Sequence, residues 1–318
     1  MEYVRLGRTN QNVSAVGLGC GGHSRLGMAR GATTAEAADL VRRAIDLGID
    51  FIDTALVYRT EEAVGLGIAG RDRSSLFLST KSWVGRGGAE TDPEKFTAAD
   101  SPPTSIRASG ASGPITSTSI TCTASRSRSS TMRARCCCPK RGASSRPGRS
   151  ASSALPRCSA TIPGHRMLQA ALPADDFDVV MVGFNLLNPS ARKTVFPLTL
   201  ANDVGTLVMF AVRRGLNSAG NAREAVAALL DSGEVDPAAI NPADPLDFLR
   251  AAPGVKSQIE AAYRFCRHEP GAHVILTGTG SAAHLEENIA SILAPPLPAE
   301  AQAKLKAIFG EVSSASAE

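Results

Sequence analysis

The 318-residue chain contains no run of 18 or more apolar residues, the length at which a stretch reads as a membrane-spanning helix. Its opening residues, Met1-Glu2-Tyr3-Val4-Arg5-Leu6, lack the apolar core of a secretory signal, so a cytoplasmic location and no membrane partner are expected. Outside residues 101–160 the only cysteines are Cys20 and Cys266, which argues against a disulfide framework. No histidine lies between His23 and His165. Neither of those two has metal-ligand spacing, so both are expected to be solvated and no metal site is expected.

Residues 101–160 lack Asp, Glu and every aromatic residue, yet hold nine Arg, one Lys, sixteen Ser and five of the seven cysteines. The rest of the chain carries 24 basic and 30 acidic residues, so the formal charge of +4 belongs to this block alone. A Ser/Arg tract without stacking aromatics or a folded motif does not read as a nucleic-acid module, and no nucleic-acid partner is expected. The chain as a whole is 43% hydrophobic, as in ordinary soluble protein, and long enough for one large α/β domain or two smaller ones.

The first hundred residues show regular patterning. Tyr3–Leu6 and Val13–Gly17 flank Gly7-Arg8-Thr9-Asn10 as a small hairpin. Thr33-Thr34-Ala35-Glu36 is a capping box, and apolar residues at helical spacing follow as far as Gly48. Ile49–Ile52 and Leu76–Thr80 read as buried strands around a helix at Glu61–Ala69. Beyond residue 162 the pattern predicts helices at Arg166–Leu172, Ala191–Asp203, Val255–Arg267, Ala283–Leu293 and Ala299–Phe309. Strands are predicted at Asp178–Val182, Thr206–Ala211 and His273–Thr277, and residues 216–253 read as a long connection with helical pieces. Alternating βα units imply a parallel sheet. At this length they favour an α/β fold of the (β/α)8 TIM-barrel type with an N-terminal hairpin. The count is short by two strands, the fourth and fifth, where the barrel is expected to be incomplete or distorted. The organisation read from this pattern is a single barrel domain over 1–318. Residues 1–99 form its first part, 100–162 an aberrant and disordered segment, and 163–318 its second part.

Two stretches, Gly17–Gly22 and Gly65–Gly70, satisfy G-x-G-x-x-G. That fingerprint works only where a strand feeds straight into a helix N-terminus. The first is followed by loop-like residues and the second lies in a helix, so neither is taken as a dinucleotide site.

Asp53 stands just past one predicted strand with Tyr58 five residues on, and Lys81 stands just past the next strand. In a βα barrel such positions share one mouth. A free phenol, with a pKa near 10, is a poor proton donor at neutral pH. A nearby ammonium lowers that value, and a carboxylate keeps the ammonium charged and oriented. Tyr58 then has a use as the acid that protonates a carbonyl oxygen while hydride arrives at carbon.

The run Gly48-Ile49-Asp50-Phe51-Ile52-Asp53-Thr54-Ala55-Leu56-Val57-Tyr58, then Ser79-Thr80-Lys81, then Leu285-Glu286-Glu287-Asn288, resembles the aldo-keto reductases across residues 1–97 and 163–310. The resemblance implies a nicotinamide-dependent oxidoreductase, moving hydride between NAD(P)H and a small aldehyde, ketone or alcohol. It implies Tyr58 as acid/base and Lys81 with Asp53 as its tuning pair. It implies a cofactor phosphate at Thr277-Gly278-Thr279-Gly280-Ser281, and Glu287 and Asn288 at the adenine. Family members often place Lys and Arg where Gly278 and His284 stand here, gripping the NADPH 2′-phosphate, so the choice between NADH and NADPH is open. Met181 replaces a common Gln on the carboxamide, and Met209 a common aromatic on the nicotinamide face. Trp83 and Cys20 are expected to wall the substrate pocket. The family's histidine on the fourth strand has no counterpart in the chain, which leaves open a catalytically silent nucleotide-binding barrel as the alternative.

Ser, Arg, Thr, Pro and Cys without acids or aromatics is the output of a GC-rich gene read out of frame. A one-base deletion near Asp100 and a compensating insertion near Pro163 would enclose such a frameshift. Codons can be chosen so that Ser117–Ser125 reads DLYHLHGV in the shifted frame and Pro147–Pro163 reads GKIRFIGVTEMFGNDP. These peptides resemble the family's fourth strand, with its histidine, and its fifth.

Overall fold

The computed structural model describes residues 1–83, 119–123, 165–166, 168–169, 172–174 and 177–314, with backbone alone at 82–83, 119–123 and 174. Strands β1 (Tyr3–Arg5) and β2 (Asn12–Ser14) pair antiparallel as the expected hairpin. Seven parallel strands follow: β3 (Val16–Gly19), β4 (Phe51–Asp53), β5 (Phe77–Trp83), β6 (Ser119–Thr123), β7 (Val179–Gly183), β8 (Gly205–Met209) and β9 (Val274–Thr277). Their order is β6-β5-β4-β3-β9-β8-β7. The first and last strands, β3 and β9, are therefore neighbours, with Gly17 opposite Leu276. That closure makes the sheet a curled barrel wall rather than an open doubly wound sheet.

Among the described residues the two terminal strands are β6 and β7, so the fifth-strand position falls outside them. The fourth-strand position is occupied by Ser119–Thr123, whose Ile120 stands opposite Thr80. These five residues lie inside the segment expected to be disordered, and their β-branched Ile and Thr suit a pleated ladder. The rest of the 100–162 expectation lies outside the described residues.

The helices are α1 (Thr34–Asp46), α2 (Glu61–Ile68), α3 (Ala191–Thr194), α4 (Phe196–Ala201), α5 (Ala219–Asp231), α6 (Asp247–Ala251), α7 (Gln258–Arg267), α8 (Ala282–Ile292) and α9 (Ala299–Phe309). The capping box forms in both directions at Thr33 and Glu36, and Gly48 turns the chain at φ +92°. The single helix expected over Ala191–Asp203 breaks at Val195 (φ −122°, ψ −53°), with Pro197 in the first turn of α4. Proline lacks the N–H a continuous helix would need there. The long connection carries a full 13-residue helix, α5, capped by Ser218.

Two faces of the sheet bury apolar side chains. Val16, Leu18, Ile52 and Leu78 pack outward against α1, α2 and α8. Phe51, Val179, Leu207 and Val274 fill the interior with Leu6 from the hairpin. Each fully buried side chain of this size contributes about 1.5–3 kcal/mol. The hairpin closes the end of the barrel at which β7 and β8 begin. Arg5 forks onto Asp203 at 2.7 Å, and Arg8 Nε reaches Asp178 at 2.9 Å. Gly7 at φ +50° is required because a Cβ would stand 2.2 Å from the Gly205 nitrogen. The opposite end, where the strands finish, is left for the site.

Candidate active site

Asp53 is the last residue of β4 and pairs across the ladder with Ser79 of β5. Side chains two apart on a strand share a face, so Lys81 follows Ser79 onto the same side. Lys81 Nζ donates to Asp53 Oδ1, Asp53 Oδ2 and the Thr54 carbonyl, each at 2.6 Å. Ser79 Oγ donates to Asp53 Oδ1 at 2.9 Å. Lys81 and Asp53 are both only 3% exposed, and a buried ion pair persists only where such hydrogen bonds satisfy its remaining atoms. A short 3-10 turn, Leu56–Tyr58, then carries Tyr58 over the pair, with Lys81 Nζ 4.9 Å from the ring centroid. Thr54 and Thr60 hydroxyls meet at 2.9 Å and brace this turn, and Thr80 donates to Glu61 Oε1 at 2.6 Å.

A cleft of about 1260 Å³ opens beside the three residues. Asp53 and Tyr58 line it, as do Met209 and the whole set expected to hold cofactor: Thr277, Gly278, Thr279, Gly280, Ser281, His284, Glu287 and Asn288. Asn288 Nδ2 donates to Thr277 Oγ1 at 2.9 Å, and the Tyr263 hydroxyl meets the same oxygen at 2.8 Å. Burial pushes the Tyr263 phenol up to about 12, so it stays neutral. Ser281 caps α8 by accepting from the His284 N–H. Glycine is dictated in this loop: a Cβ on Gly280 would stand 2.5 Å from Gly27 Cα, and one on Gly278 2.9 Å from the Gly19 oxygen.

Other expectations fare differently. Cys20 is fully buried and belongs to the cluster with Val16 and Leu18 that faces the helices. It therefore does not wall the cleft, because strand alternation turns it outward while Gly19 and Gly21 turn inward. Burial pushes its thiol far above the ordinary range, the Asp53 charge adds to this, and Lys81 opposes it. The side chain of Trp83 lies outside the described residues. His165 is partly buried rather than solvated, with Nε2 3.2 Å from the Gly183 carbonyl and Nδ1 3.2 Å from Ser190 Oγ. His23 lines the cleft. Met181 faces the barrel interior at 2% exposure. The Gly17–Gly22 stretch leads from β3 into a loop rather than a helix, and Gly65 and Gly67 lie within α2.

Several cleft residues were not anticipated. Arg213, Arg214 and Lys256 bring positive charge to the wall. The Arg213 guanidinium carbon lies 3.5 Å above the Phe210 ring centroid, and Phe210 itself holds φ +70°, a strained value for a non-glycine residue. Gly21 packs under Tyr58, where a Cβ would come within 2.6 Å of the ring. For these residues the legible signal was the Val212-Arg213-Arg214-Gly215 run just after β8.

Residues 17–110 match the model of the Aldo/keto reductase family. A 102-residue stretch, 30% of the chain, is 38% identical to the uncharacterized oxidoreductase YqkF of Bacillus subtilis and covers 31% of it. A 63-residue stretch, 19% of the chain, is 43% identical to glyoxal reductase of the same organism and covers 23% of that protein. The chain thus matches less than a third of either relative's length. Among solved structures, the apo form of aldo-keto reductase AKR11C1 from Bacillus halodurans aligns with TM-score 0.61 at 18% identity, covering 100% of this chain and 99% of that one. The holo form aligns with TM-score 0.59 at 16% identity over the same shares. At such identity the structures speak to the fold. Over the stretch they cover, the family model and the curated oxidoreductase matches support the aldo-keto reductase family.

Proposed function

We propose that the chain is a nicotinamide-dependent carbonyl reductase or alcohol dehydrogenase acting on a small molecule. The observation that carries this reading is the buried Asp53–Lys81 pair under Tyr58 at the edge of the cleft. The chemistry of the donor set fits a dinucleotide: Arg213, Arg214 and Lys256 supply cations for phosphate. Thr277–Ser281 offers backbone N–H groups ahead of α8, and Glu287 and Asn288 offer side chains to a base. Bound there, a dinucleotide would supply the hydride.

The remaining steps belong to the chain's own side chains. Tyr58 donates its phenolic proton to the carbonyl oxygen as carbon is reduced. Lys81 stabilises the negative charge left on Tyr58, because an ammonium close to a phenolate favours the charged form. Asp53 and the Thr54 carbonyl hold the Lys81 ammonium in place. In the oxidative direction Tyr58 takes the proton back from the alcohol. Since β6 carries Ser119–Thr123 and no histidine, orientation of the substrate oxygen falls to Tyr58 and the cleft wall. Neither a Lys nor an Arg stands at Gly278 or His284 to grip a 2′-phosphate, which favours no strong demand for one.

The test is direct. The purified chain is titrated with NADH and with NADPH, and aldehyde reduction is assayed with each. Tyr58→Phe is expected to lower kcat about 10²–10⁴-fold while dinucleotide affinity stays within a few-fold. Undiminished turnover in Tyr58→Phe would overturn the reading, and binding without any turnover would favour a silent nucleotide-binding barrel. The frameshift over residues 100–162 and a cytoplasmic location form part of the same proposal. Sequencing the DNA across residues 95–168 decides the former.

A further inference from the structure

Among the described residues the Lys81 ammonium donates to three acceptors on the β4 side: both oxygens of Asp53 and the carbonyl of Thr54. One residue touches both holders. Ser79 Oγ donates to Asp53 Oδ1 at 2.9 Å, and the Ser79 carbonyl accepts the Thr54 N–H at 2.7 Å. Ser79 is fully buried, stands directly opposite Asp53 in the ladder, and lies two residues before Lys81 on the same face. A carboxylate turns easily about its last torsion. Without the serine hydroxyl, Asp53 would be held by Lys81 alone and could swing with it.

We infer that Ser79 is a positioning residue which locks the Asp53 carboxylate plane, and through it the place of the Lys81 charge beneath Tyr58. The role rests on Tyr58 being the proton donor proposed above. Ser79 touches neither substrate nor cofactor in this assignment; it acts on Tyr58 through Asp53 and Lys81. Among the described residues the charged and titratable groups around this unit are few. Asp53 comes from β4, Lys81 from β5, Glu61 from α2 through Thr80, Cys20 from the end of β3, and His23 from the cleft wall.

The chain contains three tyrosines, so the phenolate absorbance of Tyr58 is isolated by subtracting the titration of Tyr58→Phe from that of the full chain, with no cofactor present. In Ser79→Ala the Tyr58 midpoint is expected to rise by about half to one pH unit, the direction that follows when a stabilising cation is less well placed. At neutral pH kcat is expected to fall about three- to tenfold, with KM for the dinucleotide within about twofold. Ser79→Thr, which keeps the hydroxyl, is expected to restore the midpoint. Lys81→Met sets the upper limit of the shift. Should Ser79→Ala fail to give folded protein by circular dichroism, Ser79→Cys keeps the volume with a weaker donor and carries the same expectation at smaller amplitude. An unshifted Tyr58 midpoint in the serine variants, with Tyr58→Phe still inactive, overturns the role of Ser79 and leaves the reductase reading standing. A Tyr58→Phe variant that turns over normally removes both.

Discussion

At Gly21 the missing side chain decides where the Tyr58 ring can lie. The Tyr58 ring lies against the Gly21 backbone so closely that a Cβ would meet three ring carbons at 2.6, 2.7 and 2.9 Å. Contacts under 3 Å cannot be absorbed, and the ring, at the end of a short turn, is the part able to move. Gly21→Ala is therefore expected to shift the phenol off the Lys81 ammonium and cut kcat about 10²-fold, the scale of an ångström-level misplacement. Its melting temperature should stay close to that of the unaltered chain. A kinetic and thermal comparison checks this, and unaltered kcat would show that the ring position is immaterial. Asp53, Tyr58 and Lys81 were legible in the sequence because reactive side chains at successive strand ends advertise themselves by type and spacing. Gly21 and Ser79 were not. What they do depends on which residue faces them across a ladder or loop, and a single chain read in order does not contain that information. Cys20 was misread for a related reason: its neighbours are glycines, so the inward and outward parity of β3 had few side chains to mark it.

Among the elements, α7 holds the most concentrated polar construction. Arg264 donates to Glu260 Oε1 at 2.8 Å and to three carbonyls, those of Gly254 (2.7 Å), Pro295 (2.6 Å) and Pro296 (2.9 Å). Arg264 and Glu260 are 5% and 6% exposed, so the guanidinium ties one helix to two loops at the cleft wall. Arg264→Ala would leave a buried carboxylate and three carbonyls without their donor, a loss on the order of 3–5 kcal/mol. Glu260→Gln keeps an acceptor for Arg264 and should cost less; denaturant unfolding of the two variants checks the order. At α1 the reciprocal cap is more modest. Thr33→Ala should cost about 1 kcal/mol, read as a lower melting temperature. The Glu36 carboxyl is held below its usual range, first by the Thr33 backbone N–H and then by the Thr33 hydroxyl. That part of the cap is present at neutral pH and is lost as pH falls through the carboxylate range. Element positions were legible because periodicity and caps agree: α9 runs over Ala299–Phe309 as expected. Boundaries were less so. The helix expected from Val255 starts at Gln258, because Ser257 caps it by accepting from the Glu260 N–H.

On the scale of the whole molecule, stability depends on pH through two partly buried histidines. Burial holds His165 and His273 below their ordinary value of 6.5. Between each lowered value and 6.5 the folded chain binds fewer protons than the unfolded one, so stability falls as pH drops through that window and levels off below it. For His273, Nδ1 accepts the Thr206 N–H at 3.2 Å. His273→Asn, which keeps an acceptor near that place, should flatten the acid-side decline in melting temperature; an unchanged slope would show that His273 does not contribute. The larger whole-chain question is the block at 101–160. A barrel gains its stability by closing its sheet and filling both faces with apolar side chains. Here β3 and β9 close one seam, while β6 and β7 are the end strands among the described residues. Residues 101–160 hold no acid and no aromatic residue but ten cations, a composition poor in the large apolar side chains from which a barrel wall draws its stability. Restoring the frame from Asp100 to Pro163 would replace it with peptides such as DLYHLHGV, which alternate apolar and polar residues as a strand requires and bring a histidine. The frame-restored chain is expected to give more soluble protein, a higher melting temperature, and at least about tenfold greater carbonyl reduction from the added proton-handling group. Equal yield and equal turnover from the two chains would mean that residues 101–160 are this protein's own sequence.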